Sequence, residues 1–233
     1  MNRDGAGSLS LVCTLLNEAR NIPELFSTLG RHVDEIVALV NAESTDGTAE
    51  VAASYGARVY VAGFPTDGGF GAWHTLMHAL PRTDWALHLD GDERMIEDNA
   101  RRLSAFVRRP KDFIGPCPPG YALRRRRWAD FAMTKLVEPG PDWQPRLMPT
   151  AERPQMVGRL HYRCARPRLS LLEQDFAWIE HLHDVVKTEE QMRARERIYA
   201  ELAALDGVAI EGGQPLDARC VCGHLRRVHR GAF

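Results

Sequence analysis

Hydrophobic and polar positions alternate in blocks through the first hundred residues. Leu9 to Leu16 is a continuous apolar run, as expected of a strand buried on both faces. Ile22 to Leu29 follows a polar turn and predicts a short helix, with Asn21 as cap and Pro23 in the first turn. Glu35 to Val40 predicts a second strand, Thr48 to Tyr55 a helix stopped by Gly56, and Arg58 to Ala62 a third strand. Gly71 to Leu80 and Asp98 to Arg108 predict further helices, with a fourth strand, Trp85 to Leu89, between them. Strands separated by helices of about ten residues imply right-handed crossovers and a mostly parallel sheet covered on both faces.

After Pro110 the pattern changes. Tyr121 to Trp128 and Gln155 to Arg163 predict strands, Glu138 to Asp142 a loop, and Thr188 to Leu205 an amphipathic helix rich in Glu and Arg. The expected organisation is one α/β domain. Residues 8–110 form its first half, 111–206 an α+β extension of it, and 207–233 a basic tail containing Cys and His.

In open α/β sheets, ligands bind beyond the carboxyl ends of the strands. Asn17-Glu18, Asn41 to Asp46 and Asp90 to Glu93 all lie just past predicted strand ends, so all three can line one crevice. Asp90-Gly91-Asp92-Glu93 offers carboxylate oxygens of the kind that Mg²⁺ or Mn²⁺ takes when it bridges protein to phosphates. A solvated acidic turn gives the same pattern by chance. Ser44-Thr45-Asp46-Gly47-Thr48 also reads as a turn feeding a capped helix.

Taken together these segments resemble glycosyltransferase family 2, enzymes of the GT-A fold that use nucleotide sugars. The resemblance rests on Thr14-Leu15-Leu16-Asn17-Glu18, Ser44-Thr45-Asp46-Gly47-Thr48 and Asp90-Gly91-Asp92-Glu93, in order and about 30 and then 45 positions apart. It continues through Gly120-Tyr121 and the arginine run, Pro141 to Met148, and Val157-Gly158-Arg159-Leu160-His161. This second set is similar to short bacterial members of the lipopolysaccharide-core glucosyltransferase type.

The resemblance implies a GT-A sheet and an inverting, hexosyltransferase-type activity in cell-envelope or surface-glycan synthesis. Thr14, Leu16, Glu18, Asn41, Ser44, Asp46, Asp90 and Gly91 would face a nucleoside-diphosphate sugar. Asp92 would ligate Mg²⁺ or Mn²⁺, with His181 as a second ligand, and Asp142 would be the catalytic base. Arg125, Trp143, Arg146 and His161 would lie on the acceptor or phosphate side. The acceptor would be a glycan, lipid-linked or small-molecule hydroxyl. The chain departs from the family at Asn41, where Asp is usual, at Trp73 or His74, where an Arg often stands, and at Tyr162, where Glu is frequent.

Two other readings stay open. A sugar nucleotidyltransferase normally carries a Gly- and Arg/Lys-rich loop after the first strand, which Asn17-Glu18-Ala19-Arg20 does not provide. A binding protein that has lost activity would fit the departures at Asn41 and Tyr162.

Composition adds boundaries. Lys plus Arg number 30 against 31 for Asp plus Glu, a net charge of -1, which excludes a general nucleic-acid coat. Positive charge is nonetheless gathered at Arg124 to Arg127 and at Arg226, Arg227 and Arg230. In a strand, alternate arginines face opposite ways, so about two of the first four can enter one site. These clusters are where peripheral contact with an anionic membrane is expected. No apolar run reaches the ~18–20 residues of a membrane-spanning helix. Five cysteines are sparse and odd in number, which suits a cytoplasmic chain better than a disulfide framework. Cys220, Cys222, His224 and His229 form either a tight zinc set or part of a basic tail with free thiols.

Overall fold

The computed structural model describes residues 7–109, 120–137, 142–151, 153–160, 163–164, 169–172, 176–206, 210–211, 214–215 and 226–227. The strands are β1 (Leu9–Leu15), β2 (Glu35–Asn41), β3 (Arg58–Ala62), β4 (Trp85–Asp90), β5 (Glu93–Arg94), β6 (Gly120–Arg127) and β7 (Asp142–Pro149). Shorter ones follow: β8 (Met156–Val157), β9 (Arg163–Cys164), β10 (Leu169–Leu171), β11 (Trp178–His181), β12 (Ile210–Glu211), β13 (Gln214–Pro215) and β14 (Arg226–Arg227). The first four helices are α1 (Ile22–Leu29), α2 (Thr48–Ser54), α3 (Gly69–His78) and α4 (Glu97–Val107). A short helix, His183–Val186, and a long one, Glu189–Asp206, come later.

The main sheet runs β14-β10-β6-β7-β4-β1-β2-β3, with β11 beside both β6 and β5. Its pairings are parallel except where β7 meets β4 and β6 and where β11 meets β5. This is the mostly parallel, helix-flanked sheet expected.

Alternation along the strands sorts side chains into two layers. Leu9, Leu11, Cys13 and Leu15 of β1 and Trp85, Leu87 and Leu89 of β4 pack under α1 and α4, against Leu25, Phe26, Leu103 and Phe106. Val12, Leu39 and Ala86 face the other way and meet Trp73 and Met77 of α3. Each fully buried Leu or Ile contributes about 1.5–3 kcal/mol by leaving water. Because the strands are covered on both sides, they read as unbroken apolar runs.

Several expectations are corrected. Asn21 sits at the start of α1 but makes no side-chain cap bond; its amide donates to Glu18 Oε2 at 2.7 Å instead. Gln155 to Arg163 is not one strand. It is two short strands, β8 and β9, paired antiparallel around Gly158, whose φ of 107° breaks the extended chain. Asp142 opens strand β7 instead of closing a loop.

β7 also carries two prolines, Pro145 and Pro149, which normally demote a strand. The pairing explains how it survives. Tyr121 of β6 faces Leu147 while Ala122 faces Pro145, so Arg146 is the extra residue of a bulge. The bulge leaves Pro145 opposite Ala122, takes Arg146 out of the regular ladder and re-aims it into the interior, where it is 2% exposed.

On the α3 face, three histidines stack. The His74 and His88 rings lie 4.6 Å apart and those of His78 and His88 6.1 Å apart. Burial, then the neighbouring His88 and Arg146, push His78 down from its ordinary value to about 3, and neither of its ring nitrogens has a hydrogen-bond partner. The folded state therefore favours the neutral ring. That contribution is whole above about pH 6.5 and is lost as pH falls towards 3. By pH 4 the His78 share amounts to on the order of 3 kcal/mol. We expect stability, followed by urea denaturation, to fall between pH 6.5 and 4, and His78→Leu to flatten that slope. An unchanged slope would remove His78 as its source.

Candidate active site

Three loops meet past the carboxyl ends of β1, β2 and β4. The first turns at Asn17, whose φ of 55° lies in the left-handed region that Asn tolerates better than most residues. The second loop laces onto it. Asn17 N donates to Ser44 Oγ at 3.2 Å, Thr45 N to Asn17 Oδ1 at 2.9 Å, Glu18 N to Thr48 Oγ1 at 2.8 Å and Ala19 N to Asp46 Oδ2 at 2.9 Å. Ser44 and Asp46 thus hold the first loop in place. Asn41 ends β2 at 4% exposure, with its Oδ1 accepting from Glu43 N at 3.0 Å.

The third loop is the D-x-D turn. A Cβ on Gly91 would stand 2.5 Å from Glu18 Cγ, so glycine lets the Glu18 side chain pass under the turn. Arg94, 6% exposed, donates to the carbonyls of Gly91 at 2.9 Å, Glu93 at 2.8 Å and Asn21 at 2.9 Å. Asp90 receives Arg146 on Oδ2 at 2.7 Å and His88 on Oδ1 at 3.1 Å; Thr14 Oγ1 donates to Oδ1 at 3.3 Å. Burial alone would raise the Asp90 pKa, but the Arg146 guanidinium and His88 hold it well below the usual carboxylate value.

Glu93 is the hub of this network. It is fully buried, and its carboxylate accepts Asp90 N at 3.1 Å and Arg146 at 2.7 Å, with Arg125 at 3.5 Å. Arg125 also donates to Asp142 Oδ2 at 2.7 Å, and Gln144 donates to Asp142 Oδ1 at 2.6 Å. A carboxylate has about four lone-pair positions, so Asp142, one-third exposed, keeps acceptor capacity for a further proton. Asp90, Arg146, Arg125 and Asp142 are therefore joined through one buried glutamate.

Asp92, 5% exposed, lies on the other side of the turn. His181 Nε2 is 3.8 Å from Asp92 Oδ2, and the Lys187 ammonium is 3.6 Å from the same oxygen. Lys187 also pairs with Glu18. Burial acts to lower the Lys187 pKa, but Asp92 and Glu18 raise it above its ordinary value, so the ammonium stays charged. One carboxylate oxygen and one imidazole nitrogen at this separation fit a shared Mg²⁺ or Mn²⁺ that takes its other ligands from phosphate and water. Among the described residues, no group of three or more His, Cys, Asp or Glu converges as a metal cage.

A cleft of about 650 Å³ opens beside the first two loops, lined by Leu16, Asn17, Asp46, Phe64, Gln191 and Ile198 among others. Leu16 and Asp46 are the residues expected on the donor side that line it. Arg146 was expected on the acceptor or phosphate side. It lies beneath the site instead, because the bulge turns it inward onto Asp90 and Glu93. Of the arginine run, Arg125 faces the site while Arg126 stacks on Trp178 at 3.9 Å. Trp143 stays partly exposed opposite Arg124, and Trp73 and His74 are buried in the α3 layer. His161, Tyr162, Cys220, Cys222, His224 and His229 lie outside the described residues.

Nothing in the sequence pattern singles out His88, Arg94 or Lys187, and Glu93 reads there only as one more carboxylate of the D-x-D turn, not as a buried hub with Arg94 beside it. The usable signal for Glu93 and Arg94 was position, since both directly follow a buried strand and its D-x-D.

No protein-family model and no curated protein sequence matches the chain. Among solved structures the chain is similar to S. aureus TarS, with 14% identity and a TM-score of 0.49 over 84% of this chain and 40% of that one. It is similar to TarS 1–349 in complex with UDP-GlcNAc, with 15% identity and a TM-score of 0.48 over 84% of this chain and 66% of that one. It is also similar to glucosyl-3-phosphoglycerate synthase from Mycobacterium tuberculosis in complex with Mn²⁺, UDP and phosphoglyceric acid. There the identity is 22% and the TM-score 0.36, over 52% of this chain and 43% of that one. The chain thus spans less than half the length of full TarS.

The network sets its own test. Arg146→Leu leaves Glu93 buried without its main counter-charge and should cost about 3–5 kcal/mol in urea unfolding, the usual loss when one partner of a buried pair is removed. Arg125→Leu, where Arg125 is 22% exposed, should cost clearly less. Equal losses would show that Arg146 is not the main counter-charge of Glu93.

Proposed function

We propose that this chain is a nucleotide-sugar-dependent glycosyltransferase that moves a sugar, with inversion, from a nucleoside diphosphate to a hydroxyl acceptor. The observation that carries the reading is the arrangement around Glu93. A D-x-D turn at the end of β4 and a partly exposed carboxylate on β7 are tied to one buried group.

In this reading the acceptor oxygen attacks the anomeric carbon as the bond to the diphosphate breaks. Asp142 accepts the hydroxyl proton; an oriented base of this kind contributes typically 10²–10⁴-fold. Arg125 and Gln144 fix the direction of that carboxylate. Leu16, Asp46 and Phe64 offer a mixed polar and apolar wall for the nucleoside. Asp92 and His181 would hold a divalent cation, which offsets charge on the leaving diphosphate. The substrate class extends to a hexose donor, with a glycan, lipid-linked or small-molecule acceptor in envelope or surface-glycan assembly. No described helix is long and apolar enough to cross a membrane. Cytoplasmic residence with peripheral contact through the arginines belongs to the proposal.

Incubation with UDP-, GDP- and dTDP-sugars and Mn²⁺ should release nucleoside diphosphate slowly without acceptor, and Asp92→Ala should abolish it. Asp142→Asn should lower transfer by about 10²-fold or more while donor affinity stays unchanged. An active Asp142→Asn removes that residue as the base. Pyrophosphate exchange, or tight binding without turnover, would replace transfer with a nucleotidyltransferase or a binding role.

A further inference from the structure

Lys187 stands between the helices His183–Val186 and Glu189–Asp206, far along the chain from the loops it touches. Its ammonium pairs with Glu18 of the first loop and lies 3.6 Å from Asp92 Oδ2. Four residues on, the Gln191 amide donates to the Asn17 carbonyl. The segment is therefore fastened to the first loop at two points. The Lys187 side chain is 15% exposed, and the side chains of Glu18 and Asp92 beside it are 3% and 8% exposed. Water screens these charges poorly.

A divalent ion on Asp92 Oδ2 must sit about 2–2.5 Å from it. His181, 3.8 Å from that oxygen, is the neighbouring neutral-capable donor, but Lys187 is a second cation at the same atom. An ion and an ammonium then share Asp92, with Glu18 and, at longer range, Asp90 as the other counter-charges. Like charges at this range repel strongly where the dielectric is low.

We propose that Lys187 is a tethered competitor for the Asp92 carboxylate, so that the chain on its own binds divalent cations more weakly than its Asp92–His181 pair would allow. The inference rests on the metal-assisted reading above, in taking Asp92 as the seat of the ion. Lys187 holds the first loop, through Glu18, and the D-x-D turn, through Asp92, in register while no ion is present. An ion that enters with an anionic ligand brings the charge needed to keep both cations.

Mn²⁺ is titrated into the full chain without nucleotide, and free Mn²⁺ is followed by electron paramagnetic resonance. Lys187→Gln, which keeps a donor for Glu18 but no charge, should bind Mn²⁺ about tenfold more tightly than the unaltered chain. Adding Asp92→Asn should remove the gain. Lys187→Arg keeps the charge and should stay at the weaker affinity; circular dichroism and melting check that each variant folds. If Lys187→Gln fails to fold, Lys187→Met and Lys187→Arg provide the comparison of neutral with charged. Equal affinity in all variants overturns the proposal while leaving the transferase reading in place. A gain that survives Asp92→Asn also overturns it. Absence of Mn²⁺ binding in every protein at millimolar concentration overturns both the proposal and the metal part of the function.

Discussion

The burial of Glu93 is the constraint on which the site depends. A carboxylate with no exposure is tolerable only when charged donors surround it. Arg146 and Arg125 are those donors, and each reaches a second carboxylate as well. Neutralising one buried group thereby sets the positions of Asp90, at the end of a parallel strand, and Asp142, at the start of the antiparallel one. The bulge in β7 belongs to the same arrangement, because only an extra residue there turns Arg146 inward while Pro145 remains in the strand.

A second layer of polar contacts holds the loops above that core. Ser44, Asp46 and Thr48 accept backbone amides of the first loop, and Arg94 gathers carbonyls from both the first loop and the D-x-D turn. Gly91 leaves room for Glu18 beneath the turn. The loops are thus shaped before any ligand arrives, which reduces the ordering cost of binding. Lys187 and Gln191 carry this bracing to the C-terminal segment, so the floor and one wall of the cleft come from opposite ends of the chain.

Much of the first half was legible because its strands are buried on both faces. Leu9–Leu15, Glu35–Asn41 and Trp85–Asp90 are apolar runs bounded by turn residues, and the helices between them have one apolar face. The second half resisted for a physical reason. Its main strand holds Asp142, Gln144, Pro145 and Arg146, a pattern with neither alternation nor an apolar run. Its pairing comes from β4 and β6 on either side and from ion pairs to residues about 50 positions away.

From the sequence by itself came the mostly parallel sheet, the loops beyond its strand ends, and the prominence of Asp90, Asp92 and Asp142. The sheet and loops follow from local periodicity, and Asp90 and Asp92 from carboxylates placed just past a buried strand; Asp142 stood out only through the resemblance to glycosyltransferase family 2. Tertiary structure alone decided that Glu93 is a buried hub and not an exposed turn residue. It also decided that Arg146 lies under the site and that Lys187 reaches Asp92. Charge in a sequence is silent about burial. Whether a glutamate or an arginine is solvated or enclosed depends on which distant partners the fold brings within about 3 Å of it.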